Sequence, residues 1–459
     1  MNLTRTAVAV LSLVSIFLFG CDKSSSGGGG SSSSGDKTIR ILWADWQPAD
    51  ALAELGKEYE KATGTPVVVV KKSWAGDFLN TTLNEFRNNG DQYDIIIGDS
   101  QWMGMGVQGK HYVELTDWIP STINVSEVAP AAWKWYCEYP KGSKKLYAVP
   151  CEADAMAWCY RKDLFEDPSH QKAFGQYLVE MGQTQQLKLE PPKTWEHLRW
   201  IAQYFKDKAG MNGLVMPTSR DYDMATMSFQ QVMWAFGGEY GDYATNEVKV
   251  NSPQTIEALK FFTKLMNATS PGGRNMTFDE VGPAYYTGKA AMACNFFAFF
   301  PAIASNPDYA KKTGYFNMPA GPDGKRFATL GGQGMSVNAH VSPARQQRAK
   351  DFLKWFSTKE VQYKWAEKGG FTSNLEVMKS DAFKQAAPYN PLFEDAFNIM
   401  NDFWAVPEFD QMMKVCQREF CSVFQDGADP AKAVESIARE HEAILRKGGH
   451  LKDKHASGQ

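Results

Sequence analysis

The sequence predicts an α/β protein divided into two or three lobes. Three observations predict it. At 459 residues the chain is too long for one ordinary core. After residue 37 it reads strand, helix, strand, helix, strand, the repeat that builds a parallel sheet. Further helix and strand signals then alternate before a last hundred residues that read as helical. Hydrophobic residues make up 43% and the formal charge is −3, a soluble globular composition that argues against nucleic acid as a partner, which would need a basic surface.

The N-terminus comes before that fold. One Arg5 precedes an apolar run over 7–19, too short to span a membrane and of the right length for an export signal. It ends Leu18-Phe19-Gly20-Cys21, which resembles a bacterial lipobox and implies cleavage after residue 20 and acylation of Cys21. Asp22 resembles the signal that retains lipoproteins in the inner membrane. The run SSSGGGGSSSSG at 24–35 is a flexible tether, and about 15 residues of such coil reach roughly 20 Å. The expectation is an exported protein, lipid-anchored to the cytoplasmic membrane, that faces the periplasm or the cell exterior.

In order, TIRILW at 38–43 reads as a strand. The helix after it has Asp50 as its expected N-cap, Leu52, Leu55 and Tyr59 as its stripe, and Gly64 as its stop. Residues 67–70, all Val, read as a buried parallel strand. A helix with Leu79, Leu83 and Phe86 on one face leads to a strand at 93–97. Ligands of such sheets bind beyond the carboxyl ends of the strands. Those ends carry Asp45 and Trp46, Trp74, and Asp99, Ser100 and Trp102. The GxGxxG at Gly104, Gly106 and Gly109 neither follows a strand directly nor opens an evident helix, so it reads as a flexible loop rather than a dinucleotide fingerprint.

The stretch LYAVPCEADAMAWCYRKDLF at 146–165 reads as one extended strand from Cys151. Alternation gives it a small face (Cys151, Ala153, Ala155, Ala157, Cys159) and a large or charged one (Glu152, Asp154, Met156, Trp158, Tyr160). The first face suits a close backbone neighbour and the second a pocket wall; a helix, or a core strand whose acids sit at a solvated end, is the alternative. Thr194 is the expected cap of the next helix. A strand at 214–216, the polar loop Arg220-Asp221-Tyr222, a helix ending at Trp234 and another over 252–266 follow. A strand then leads to Asn295, Phe296 and Phe297. The glycines around Gly332 and Gln333 let backbone approach a ligand. Ser342-Pro343 opens a long helix, and Ser357 with Glu360 spells a capping box for the next. Cys137 and Cys151 flank a turn and could bridge; no CxxC spacing exists and the His are scattered, so no metal is expected. No cofactor is expected.

The motifs PPKTWEHL, YYTGKAAM, SPARQQRAKDFLKWF, STKEVQYKW and GGFTSN, in that order, resemble the extracellular solute-binding proteins of ABC importers, in particular the large sugar-binding family that includes maltose-binding protein. The resemblance covers roughly 39–445. It implies a two-lobed periplasmic-binding-protein fold, type II-like, with a hinge and an interlobe ligand cleft. The implied division is 1–20 signal, 21–36 anchor and tether, 37–150 with 301–345 as one lobe, 151–300 with 346–450 as the other, and a tail at 451–459. Family register from Tyr160-Arg161-Lys162-Asp163 puts the sugar-contacting acid on Asp154, with Glu152 beside it. Arg220, Asp221 and Tyr222 match a polar-aromatic loop that reaches ligand, and Asn295, Phe296 and Phe297 match a loop where the family often has a stacking Trp.

The expected function is capture of a carbohydrate and its delivery to ABC permease subunits, as a monomer and without turnover. Carboxylates would hold hydroxyls and aromatic rings would hold C–H faces. The same acids among tryptophans would also cage a cationic or zwitterionic solute such as a polyamine or betaine. A surface glycosidase using Glu152 and Asp154 as an acid/base pair is the third class, and nothing else in the sequence supports it.

Overall fold

Ile39–Ala44 (β1) is apolar except at Arg40 and is buried at every other position, as a strand covered on both faces must be. In this computed structural model, which describes residues 36–74 and 77–451, β1 pairs in parallel with Val67–Lys72 (β2) and Ile95–Asp99 (β3). The connecting helices are Gln47–Thr63 and Asp77–Arg87. The first starts earlier than Asp50, because Pro48, which has no amide hydrogen to leave unpaired, fits the first turn after Trp46. Asp50 instead pairs with Lys71 at 2.7 Å. Gly64 ends the helix as expected, at φ 73°, its amide donating to Glu60 O at 2.7 Å. β2 is an edge strand rather than a buried one, and Val68 is 47% exposed.

The remaining principal strands are Val149–Glu152 (β4), Met156–Arg161 (β5), Met292–Phe296 (β6), Thr313–Phe316 (β7) and Gln333–Val337 (β8). One sheet has the order β2-β1-β3-β8-β4 and the other β6-β5-β7. β8 runs antiparallel to β3 and β4, and the smaller sheet is antiparallel throughout. The chain therefore passes between sheets at 153–155 and again between Phe316 and Gln333. A third passage lies at Met400–Asn401, which pairs with Ala328–Thr329.

The 146–165 stretch is thus two strands, not one. Its break at 153–155 is where Ala153 N donates to Phe371 O at 2.8 Å and Asp154 O accepts from Gly331 N at 2.9 Å. β7, within the 301–345 segment expected in the first lobe, pairs with β5 of the smaller sheet. Helix Pro343–Phe356, expected mostly in the other lobe, packs on β8 and β1. The helices Phe409–Phe424 and Pro430–Lys447 cover Met224–Ala235 and Pro253–Met266.

Several local expectations change. Of the GxGxxG glycines, Gly104 and Gly106 fall on helix Met103–Gln108, after a turn at Ser100–Trp102, and Gly109 caps its C-terminus, so the motif is not a loop. Gly104 admits the Ala405 carbonyl and Gly106 the Tyr112 ring, where a Cβ would collide. Thr194 and Ser342 cap their helices through His197 N and Arg345 N. The capping box at Ser357 does not form, because Thr358 takes the N-cap position without a side-chain bond. Residues 214–216 contribute only a single bridge, Val215 to Ala293. Cys137 and Cys151 are each free and buried, since the hairpin places Tyr147, not Cys151, against Cys137.

Contacts divide the chain between Lys37 and Thr38. The signal, lipobox, Cys21 and tether lie outside the described residues. Among the described residues, no helix is long and apolar enough to cross a membrane, and no cluster of three metal-ligating side chains occurs.

Candidate functional site

Parallel β1, β2 and β3 end on the same edge of the larger sheet, and antiparallel β8 begins there, with Gln333 opposite Asp99. In the smaller sheet β5 begins where β6 ends, with Met156 opposite Phe296. These two edges meet around a small cavity of about 50 Å³. From the larger sheet come Trp46, Trp74, Asp99, Ser100 and Gln101, and the glycines Gly331 and Gly332 before β8. From the other side come Asp154, Phe296, Phe278 and Phe299, together with Tyr222, Asp223 and Met227 at the start of helix Met224–Ala235.

The aromatic wall is built by edge-to-face contacts. Trp46 stands at 87° to Trp74 with centroids 5.4 Å apart, and Trp43 and Phe78 continue the series at 5.5 Å on either side. Opposite, Phe278 lies 5.6 Å from Phe296 and 6.0 Å from Phe299. Such T-shaped, tilted and stacked pairs fix ring orientation.

A polar chain holds Asp99. Trp43 Nε1 donates to Gln333 Oε1 at 2.5 Å, and Gln333 Nε2 donates to Asp99 Oδ1. From across the cavity Tyr222 Oη donates to Asp99 Oδ2 at 2.7 Å, and Trp102 Nε1 donates to Tyr222 Oη at 3.1 Å. Tyr222 reaches this position from a backbone φ of 48°, a left-handed conformation costly for a residue with a Cβ.

Burial shifts the acids. Asp99 is pushed up to about 6 although Tyr222 and Gln333 pull the other way. Asp154 is pushed up to about 8 by burial, against the amides of Ala155, Ala298 and Phe297. Asp223 rises well above its usual range through burial and the nearby Asp99. Carboxyls displaced by burial inside a cavity make it a candidate functional site.

Of the residues expected at the site, Trp46, Trp74, Asp99, Ser100, Asp154, Phe296 and Gly332 line this cavity. Gln333 and Trp102 lie behind it and bond Asp99 and Tyr222 as described. Asn295 is also one step back: its Nδ2 donates to Phe278 O at 2.9 Å and its Oδ1 accepts from Phe296 N at 2.9 Å, so it positions two lining rings.

The others stand elsewhere. Asp45 is exposed and paired with Lys71 at 3.0 Å. Glu152 accepts from Phe371 N at 3.1 Å, because the strand break after it ends the alternation that would have aligned it with Asp154. Burial, with Asp154 nearby, pushes its carboxyl well up. Arg220 is exposed and held by Asp426 and by Gln425 at 2.8 Å. Asp221 is exposed and accepts from Ser219 Oγ at 2.9 Å. Trp234 is buried between Tyr240 and Phe327. The sequence reading missed Gln101, Asp223, Met227, Phe278, Phe299, Leu330 and Gly331 as lining residues. For Gln101, Phe299 and Gly331 the available signal was adjacency to a strand end already singled out.

The family model described as bacterial extracellular solute-binding protein matches residues 44–363. A probable ABC transporter-binding protein of Deinococcus radiodurans is 23% identical over 404 residues, 85% of this chain and 89% of that protein. Among solved structures, maltose-bound MalE3 of T. maritima superposes with a TM-score of 0.76 at 21% identity, covering 89% of this chain and 100% of the other. A solute-binding protein of Agrobacterium radiobacter in complex with ribitol gives 0.74 at 22% identity, with 89% and 98% covered.

Proposed function

The chain belongs to the bacterial extracellular solute-binding proteins, and from that premise we propose that it captures a carbohydrate or polyol between its lobes and delivers it to an ABC importer. One observation carries the reading. Asp99 and Asp154, one from each sheet edge, line a single small cavity walled by Trp46, Trp74 and Phe296. Carboxylates accept from hydroxyls in strong charge-assisted bonds, and the apolar faces of a sugar ring lie on aromatic rings. The relatives that bind maltose and ribitol support the ligand class.

In this reading the lobes comprise 38–152 with 333–367, and 156–327 with 403–447, and the three passages between sheets form the hinge. Ligand shifts an open–closed equilibrium through contacts made only when both lobes engage it. Cys21 carries the lipid anchor, and the closed monomer docks on the permease without turnover.

Titration calorimetry of the chain from Thr38 onward against a panel of monosaccharides, disaccharides and polyols tests the proposal. Micromolar or tighter binding of at least one member, with the ligand recovered unchanged, is expected. Absence of heat across the panel overturns it.

A further inference from the structure

The cavity has an unbalanced charge inventory. Asp99, Asp154 and Asp223 line it, and among the described residues that line it there is no Lys, Arg or His. The one cation expected there, Arg220, is outside and committed to Asp426. Asp402, buried next to this cluster, interacts with Lys141, but that lysine borders a different cavity.

The acceptors are also undersupplied. An ionised carboxylate offers about four acceptor sites. Asp99 receives Tyr222 and Gln333, one on each oxygen. Asp154 is better supplied: its Oδ1 receives Ala155 N at 2.8 Å, and the amides of Ala298 and Phe297 also act on the carboxyl. Asp223 is 6% exposed, and its Oδ1 is buried without any hydrogen-bond partner. A buried carboxylate oxygen left without a donor is costly, so a donor is to be expected from outside the protein. Trp46 and Trp74, on the same wall, leave their indole N–H groups unpaired and buried as well, and those require an acceptor. The ligand must therefore bring both kinds of group and, on balance, positive charge.

We propose that the ligand is a polyhydroxylated compound carrying a protonated amine, an amino sugar or amino polyol, with its ammonium against Asp223 and its hydroxyls on Asp99, Asp154 and the two indoles. The proposal rests on the carbohydrate-receptor reading and narrows it. An ammonium supplies three donors to the acceptors that lack them, and the surrounding aromatic faces add cation–π attraction.

Charge also has to balance on binding. Asp223 is faced by Asp99, Tyr222 and Asp402, and Asp154 by Glu152 and Tyr389; none of these supplies a positive charge. Burial favours the neutral carboxyl in the empty site. An arriving ammonium favours the carboxylate, so complex formation releases a proton to solvent. A neutral sugar needs no such release.

The test is calorimetry of the full-length protein at pH 7 with matched pairs: glucosamine and glucose, galactosamine and galactose, glucamine and sorbitol. Spermidine and glycine betaine serve as cations without the hydroxyl array. The amine is expected to bind at least tenfold more tightly than its neutral partner in at least one pair. Its heat should depend on buffer ionisation enthalpy in the sense of proton release. Asp223→Asn, its folding checked by thermal melting, is expected to cut the amine-to-neutral ratio at least tenfold. Neutral partners binding as tightly as amines would overturn the proposal and leave the carbohydrate receptor standing. Binding confined to spermidine or betaine, or no binding at all, would remove both.

Discussion

Tyr222 Oη donates to Asp99 Oδ2 at 2.7 Å, a bond between the end of a strand in one sheet and the loop that leads into a helix on the other side of the cleft. Trp102 donates to the same phenol oxygen, so the hydroxyl is both used and supplied. A hydrogen bond to a charged acceptor is worth about 1.5–3 kcal/mol. Tyr222→Phe removes it while keeping the ring. The expected outcome is a ligand affinity weaker by roughly ten- to a hundredfold, with melting of the free protein changed much less. Small-angle scattering should show the variant more open at subsaturating ligand. An unchanged affinity would mean that the bond does not contribute to closure.

The raised carboxyls give the free protein a defined pH response. Asp154 stands near 8 in the folded chain and Asp99 near 6, both above the ordinary aspartate value of about 3.9. Between the ordinary and the raised value the folded state binds more protons than the unfolded one, so stability falls as pH rises through that window. One proton corresponds to about 1.4 kcal/mol per pH unit, or about 1–3 °C in Tm for a protein of this size. Melting of the free protein between pH 5 and 9 should therefore show a declining Tm. Asp154→Asn should flatten the decline above pH 6 and also abolish ligand binding. A Tm that rises across this range would contradict the assignment.

Much of this site was legible because it follows from strand direction. Trp46, Trp74 and Asp99 lie on the cavity because parallel strands end together, and a βαβαβ start announces parallel strands. Asp154 came from register with the resembled family. Glu152 was misplaced for a physical reason: alternation holds only while a strand continues, and this one breaks at 153–155 so that the chain can change sheets. Asp223, Phe278 and Phe299 come from helix ends and turns. Their approach to the cavity depends on how two lobes pack, and no local periodicity records that. Arg220 matched a ligand-reaching loop, yet the acid and amide at the end of helix Phe409–Phe424, some two hundred residues away in the chain, hold it outside.

Arg220 thereby supplies a control. It is exposed, and its partners Asp426 and Gln425 belong to the surface of the smaller-sheet side. Exposed ion pairs are worth about 0–1 kcal/mol. Arg220→Ala should change ligand affinity less than about threefold and lower Tm by no more than a few degrees. A loss of binding comparable with that of Asp154→Asn would place the guanidinium in the site after all.

Gly331 tests how closely the crossing segment must approach the ligand wall. A Cβ there would come 2.6 Å from Phe296 Cδ1, closer than carbon atoms tolerate, and 3.3 Å from Asp154 Cβ, a tight contact. Its amide donates to Asp154 O at 2.9 Å, and the adjacent Leu330 bridges to Ala155, so the backbone cannot easily retreat without breaking the contact between two passages of the hinge. The ring of Phe296 must move instead, and it is also held by Phe278. Overpacking of this kind typically costs about 1–3 kcal/mol. Gly331→Ala is expected to lower Tm by several degrees and to weaken ligand binding at least tenfold, because the displaced ring enters the cavity. Gly331→Ala combined with Phe296→Ala should recover the stability but not the affinity, since the ring then neither clashes nor offers its face. Calorimetry and thermal melting of the two variants separate these outcomes, and full recovery of affinity in the double variant would exclude Phe296 from the ligand's contacts.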